Sequence, residues 1–340
     1  MKRKLLPLAI GAAIAMPGVS AAAPTVYGKL NVTLENFENS PQNAAEEYDQ
    51  WEVNSNASRI GVKGSEKISD DLSAVYQAEF QIYVDDGDSG DGNGNDTFEQ
   101  RNIYAGLKGG FGEVIVGKFN TPLKTAQNKV DQFDNYKVGD IGNVIVGDNR
   151  TDNTIQYTTP DMGAISAKVA LIQAEGACTD AAADCDDGLA DGISASVAFE
   201  QDGLYAAIAA DSDVNGNDTV RLVAQASIDA FQLGFIYQTA EESDPATGAT
   251  AEEQDGYILS AAMNVGTQGK VKFQYGASET NNDGGVKSAE SIDITQVGVG
   301  YEHALSKQTK LFTHYITWDA EQGSSTDELS TVAFGMEHKF

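Results

Sequence analysis

The chain is short of positive charge. Its 340 residues carry 22 Lys and Arg against 51 Asp and Glu, a formal net charge of −29. Binding to phosphate backbones needs a basic surface, so nucleic acid is excluded as a partner. Histidine is scarce: only His303, His314 and His338, scattered over the last part of the chain. No Ser-His-Asp order with an elbow motif and no metal-ligand cluster accompanies them, so the chain does not read as an enzyme or a metal centre. Beyond the N-terminus no stretch reaches the ~18 to 20 apolar residues of a membrane helix. Proline is low at 7, yet 41% of residues are hydrophobic, which argues against disorder throughout.

The first residues point to export. Lys2, Arg3 and Lys4 are followed by an apolar run from Leu5 to Val19, broken by Pro7 and Pro17, and then by Ser20, Ala21, Ala22 and Ala23. That is the three-part pattern of a secretory signal peptide over 1–22, with cleavage after Ala21 or Ala22, leaving 23–340 as one domain. An exported chain meets oxidising conditions, so Cys178 and Cys185, the only cysteines, are expected to form a local disulfide.

The dominant hydrophobic period is two. Val332, Phe334, Met336 and Phe340 share one parity while Thr331, Gly335, Glu337 and Lys339 share the other. Such segments predict strands with one apolar and one polar face. Sixteen are expected, near 25–36, 51–64, 72–84, 98–108, 112–118, 151–159, 164–172, 192–200, 204–210, 219–228, 231–238, 256–264, 270–278, 292–302, 310–318 and 329–340. Short connections such as Gly109-Gly110 and Asp229-Ala230 take turns with long ones: 37–50, 85–97, 119–150, 173–191, 239–255, 279–291 and 319–328, with a shorter one at 211–218. In an up-and-down antiparallel sheet this puts long loops at one end and tight turns at the other. Closure into a barrel removes edges that lipid cannot satisfy, and about sixteen strands leave a water-filled lumen. The expected fold is all-β: a 16-stranded antiparallel transmembrane barrel.

At this point the chain resembles the general diffusion porins of Gram-negative outer membranes. The resemblance rests on an ordered series: Val26-Tyr27-Gly28-Lys29-Leu30, Ser58-Arg59-Ile60-Gly61-Val62-Lys63-Gly64, Leu72 to Phe80, Arg101 to Lys108, Phe111 to Lys118, Gly147 to Tyr157, and the terminal Phe340. It implies a homotrimer, and a long third loop, here about 119–150, folded into the lumen. It also implies that Phe340 belongs to the signal read by the barrel-assembly machinery. Family porins set wall cations against loop carboxylates. The matching wall positions are Lys29, Arg59, Arg101 and Arg150, and the loop offers Asp131, Asp134 and Asp140. The loop has Val130-Asp131-Gln132-Phe133-Asp134 where the family commonly has Pro-Glu-Phe-Gly, so its carboxylates cannot be aligned directly.

Passive diffusion of small hydrophilic solutes and ions is therefore expected, weakly favouring cations because the rest of the mouth is acidic. A sugar-selective porin, or an adhesin or structural barrel without a useful pore, are the rivals. No cofactor is expected. The acidic loops suggest divalent cations bridging to anionic lipids of the outer membrane. The segment Asp211 to Asp218 resembles the first half of a calcium loop but has Leu222 where a Glu is required and no flanking helices, so a solvated acidic loop is the default.

Overall fold

The alternating segments are strand almost throughout. The computed structural model describes residues 23–40, 47–87, 97–175, 188–243, 250–282 and 291–340; the expected leader at 1–22 and both cysteines lie outside them. The strands are β1 (Thr25–Ser40), β2 (Tyr48–Ser55), β3 (Arg59–Ser69), β4 (Leu72–Ile82), β5 (Phe98–Gly109), β6 (Gly112–Asn120), β7 (Arg150–Thr158), β8 (Ile165–Ile172) and β9 (Gly192–Gln201). They continue as β10 (Leu204–Val214), β11 (Asn217–Ile228), β12 (Phe231–Ser243), β13 (Thr250–Val265), β14 (Gly269–Asn282), β15 (Ile292–Ala304), β16 (Thr309–Gln322) and β17 (Ser325–Lys339). From β3 onward each pairs antiparallel with the next, and β17 returns to β1 from Lys29↔Lys339 to Ser40↔Glu328, closing the barrel.

β2 and β3 both pair with β1 and are halves of one stave, so the barrel has sixteen. The stave breaks at Asn56-Ala57-Ser58, where Ala57 has a φ of 48°. Side chains patch the gap: Ser58 Oγ accepts from Asn31 N at 2.9 Å and donates to Asn31 O at 3.1 Å.

Two expected loops are hairpins. Residues 211–218 become the ends of β10 and β11, joined through Asn215 and Gly216 at φ 55° and 76°. Two successive positive φ values make the turn that matches strand twist, for which Asn-Gly is the preferred pair. The calcium-loop likeness of that segment therefore dissolves into strand, with Asp211 turned inward and buried. Likewise 319–328 is not a loop: β16 and β17 run on to a turn at Gly323, whose φ is 62°.

The barrel's two faces differ sharply. Val220, Leu222, Phe231, Leu233, Leu259 and Phe273 are exposed on the outside, while their neighbours Arg221, Gln238 and Gln274 are buried inside. An apolar exposed band of this extent is a membrane surface. Phe199, Phe231, Tyr301 and Phe340 lie toward the short-turn end of that band, and Trp51, Tyr237 and Tyr257 toward the other, as interfacial aromatics do.

Candidate functional site

The 121–149 segment is the only long connection packed against the inner wall among the described residues. Thr121 caps a one-turn helix, α1 (Pro122–Ala126), and Asp140 caps a 3-10 turn at Ile141–Asn143. Leu123, Ala126, Val130, Ile141, Val144 and Ile145 pack on Tyr205, Ala207, Val223, Ile236 and Ile258 of β10 to β13. Phe133, Tyr136 and Val138 pack on Phe312, Ile316 and Phe37 of β16 and β1. Phe133 needs room on the wall, and Gly298 and Gly300 of β15 provide it: a β-carbon at Gly298 would sit 2.7 Å from the ring. The tip reaches the far wall, where Lys137 Nζ lies 4.2 Å from the Phe37 ring centroid and 3.6 Å from Glu52. The two arms meet through Lys124 Nζ and Asp148 Oδ2 at 2.6 Å.

What stays open is a space against β1, β3 to β6 and the C-terminus. Lys29, Arg59, Arg101, Lys124 and Lys339 line it, with Glu79 and Asp134 as its side-chain carboxylates. Glu79 Oε1 accepts from Arg101 Nε at 3.2 Å and lies 4.0 Å from Arg59, while Glu79 Oε2 accepts from Tyr27 Oη at 2.9 Å. Lys29 pairs with Glu337 at 3.7 Å. Thus three of the four expected wall cations converge. Arg150 stands beside them: its Nε donates to Asn120 Oδ1 at 3.0 Å, and it lines a neighbouring recess with Asp152 and Asn215.

The strand geometry explains how so many charges point one way. Opposite Glu79, the β4–β5 register skips between Ala78 and Phe80, so Arg101 and Asn102 together face one residue. That bulge turns both side chains inward and reverses the parity of β5. Next to it, the β6–β7 register shifts between Gly117 and Phe119; Gly117 has a φ of 148°, and a β-carbon there would meet Ile103 O at 2.2 Å.

The loop carboxylates divide. Asp134 is exposed and lines the space. Asp131, expected beside it, is buried; its oxygens accept from Phe133 N at 2.9 Å and Ile141 N at 3.3 Å, holding the segment's own fold. Asp140 accepts from Gly142 N and Asn135 N, both at 2.8 Å. All three lie within 4.8 Å of one another. Burial, then Asp140 and Asp134, raise the Asp131 carboxyl well above its ordinary range, and burial with Asp148 raises Asp140. Phe340 closes the barrel seam: its N donates to Gly28 O at 3.1 Å, and its ring lies over Gly28.

Residues 9–322 match the family model described as Gram-negative porin. The chain belongs to that family. This porin is 27% identical over 333 residues to outer membrane porin protein 32 of Delftia acidovorans, covering 92% of this chain and 88% of that protein. It is 23% identical over 362 residues to major outer membrane protein P.IB of Neisseria lactamica, spanning 100% of both. Among solved structures, the anion-selective porin from Comamonas acidovorans superposes with a TM-score of 0.76 at 23% identity, over 94% of this chain and 99% of that one, and so shares the fold. The porin is a multi-pass barrel of the outer membrane that forms a channel, and it is not an enzyme.

Proposed function

We propose that this porin passes small hydrophilic solutes and ions by diffusion, with the 121–149 segment as its constriction, and that the constriction favours anions. The observation that carries this is the lining: Lys29, Arg59, Arg101, Lys124 and Lys339 against Glu79 and Asp134. The expected cation preference rests on acidic loops at the mouth. Screening decides between the two, because exposed charges fade over a Debye length of about 8 Å at physiological salt. A permeating ion passes the constriction charges at closer range and between low-dielectric walls. The anion-selective porin from Comamonas acidovorans, which shares the fold, points the same way. Opposed charges across the gap also orient water and dipolar solutes, so poorly polar solutes cross less easily.

The test is reversal potential across a planar bilayer in a salt gradient. The parent channel should favour the anion, and replacing Arg59 and Arg101 by Gln should move the potential toward the cation. An unchanged potential removes them from the constriction. The sugar-selective reading needs an aromatic track along the open path, but Phe37, Phe133, Tyr136 and Phe312 are buried between the segment and the wall. A barrel that conducts nothing would favour the adhesin reading. Opening in three equal steps supports a homotrimer.

Two partner assignments accompany this reading. Phe340 serves the barrel-assembly machinery as a terminal aromatic. Divalent cations bridge outer carboxylates to lipid phosphates: Asp255, Glu279, Asp293 and Glu321 stand in cross-strand register on β13 to β16. Like charges so placed repel, which a divalent cation would relieve. Loss of heat stability on chelation supports the bridge, and indifference to chelator counts against it.

A further inference from the structure

The constriction segment is gripped through its main chain as well as packed through its side chains, and the main-chain holders form a pattern. Each of the five neighbouring strands β11 to β15 contributes one inward glutamine to this grip. Gln225 Oε1 accepts from Lys129 N at 3.2 Å. Gln238 Nε2 donates to Val146 O at 2.8 Å, and Gln254 Oε1 accepts from Val146 N at 2.9 Å. Gln274 accepts from Gln132 N at 2.8 Å and donates to Gly139 O at 2.9 Å. Gln296 Nε2 donates to Val138 O at 2.7 Å and to Asp140 O at 3.2 Å. An amide side chain offers both a donor and an acceptor, so it can satisfy either kind of orphaned backbone group in an irregular segment.

Arg221 binds the two arms together. It is fully buried on β11, its Nε donates to Gln238 Oε1 at 2.7 Å, and its Nη2 donates to Val146 O at 3.0 Å on the returning arm. Its Nη1 donates to Gln127 Oε1 at 3.4 Å on the outgoing arm. No ammonium could make this fork, because the three donors are fixed in one plane.

We propose that Arg221 and these five glutamines are the positioning residues of the constriction, fixing its path by gripping backbone. The wall thus reads the backbone of the segment in addition to its packed apolar side chains. Asp134, which faces the open space, is free to set selectivity without moving the segment. The functional weight of this inference rests on the constriction reading above.

Two nearly isosteric changes test it in the full-length protein. Gln274→Glu with Gln296→Glu keeps size but replaces donors by carboxylates facing carbonyl oxygens. Arg221→Lys keeps the charge and loses the fork. Amide hydrogen exchange over 129–146 should quicken in both, while the melting temperature of the barrel strands stays near the parent's. Conductance and reversal potential should shift with it. Parent-like exchange in both variants overturns the inference, and a parent-like Arg221→Lys overturns the role of the fork. Quickened exchange with parent conductance and potential sinks the constriction reading and leaves the grip standing.

Discussion

Arg101 donates its Nε–H to Glu79 Oε1 at 3.2 Å, across a bulge that turns two successive side chains of β5 into the lumen. The carboxylate thereby offsets one of the cations crowding the gap and holds it in place. Glu79→Gln should move the reversal potential further toward anions. Because the pair is largely buried, removing one partner is expected to cost about 3–5 kcal/mol locally. Open-channel noise should rise with the shift. A potential unchanged from the parent would place Glu79 outside the conducting path.

Asp131 and Asp134 should respond oppositely to the same substitution. Asp134→Asn removes an exposed carboxylate and should favour anions with little effect on stability. Asp131→Asn leaves one acceptor oxygen for two backbone N–H groups and, unlike a protonated carboxyl, turns an amide donor on the other, which is expected to loosen the segment by about 1–3 kcal/mol. Limited proteolysis of 121–149 and reversal potential separate the two effects. The idea fails if Asp131→Asn shifts the potential and leaves proteolysis alone.

Acid should tighten the segment. Burial raises the Asp131 and Asp140 carboxyls above their ordinary range, so the folded segment holds protons that the released segment would give up. Stability is then present below the ordinary carboxylate pKa of about 3.9 and lost as pH rises through the raised values. Protease resistance of 121–149 should increase as pH falls from neutral toward that range, and Asp131→Asn should flatten the rise. Resistance that falls on acidification would contradict it.

The seat under Phe133 offers a steric test. Gly298→Ala places a β-carbon 2.7 Å from the ring and should lift the tip, changing conductance without touching a charge. Phe133→Ala empties the seat and is expected to cost about 3–5 kcal/mol of burial. Equal conductance in the parent and both variants would show that the tip does not limit the pore.

Much of this was readable in the alternation. Lys29 and Arg59 sit on the polar parity of regular strands, and both face the lumen. Arg101 cannot be placed by alternation alone, because its bulge changes the parity within β5, an event with no local sequence mark. Glu79 shares the inward parity with Gln77 and Gln81, so its role was legible in a motif already noticed, yet only its cross-strand partners reveal it. The division of Asp131 from Asp134 was not legible, since 121–149 has no period to say which side chain turns in. Strand length near Asn215-Gly216 and Gly323 was underestimated because the flanking residues are polar on both faces, while the turn residues themselves marked the hairpins.

The seam between β1 and β17 has a consequence in time. Lys29 finds its partner in Lys339, and Gly28 in Phe340, so the first strand waits for the last residues of the chain. No shorter product of synthesis can seal. A chain cut before its final strand keeps a row of unpaired backbone groups facing lipid, where nothing answers them. Closure is therefore all or nothing: until β17 pairs with β1, the membrane meets a sheet with two unsatisfied edges.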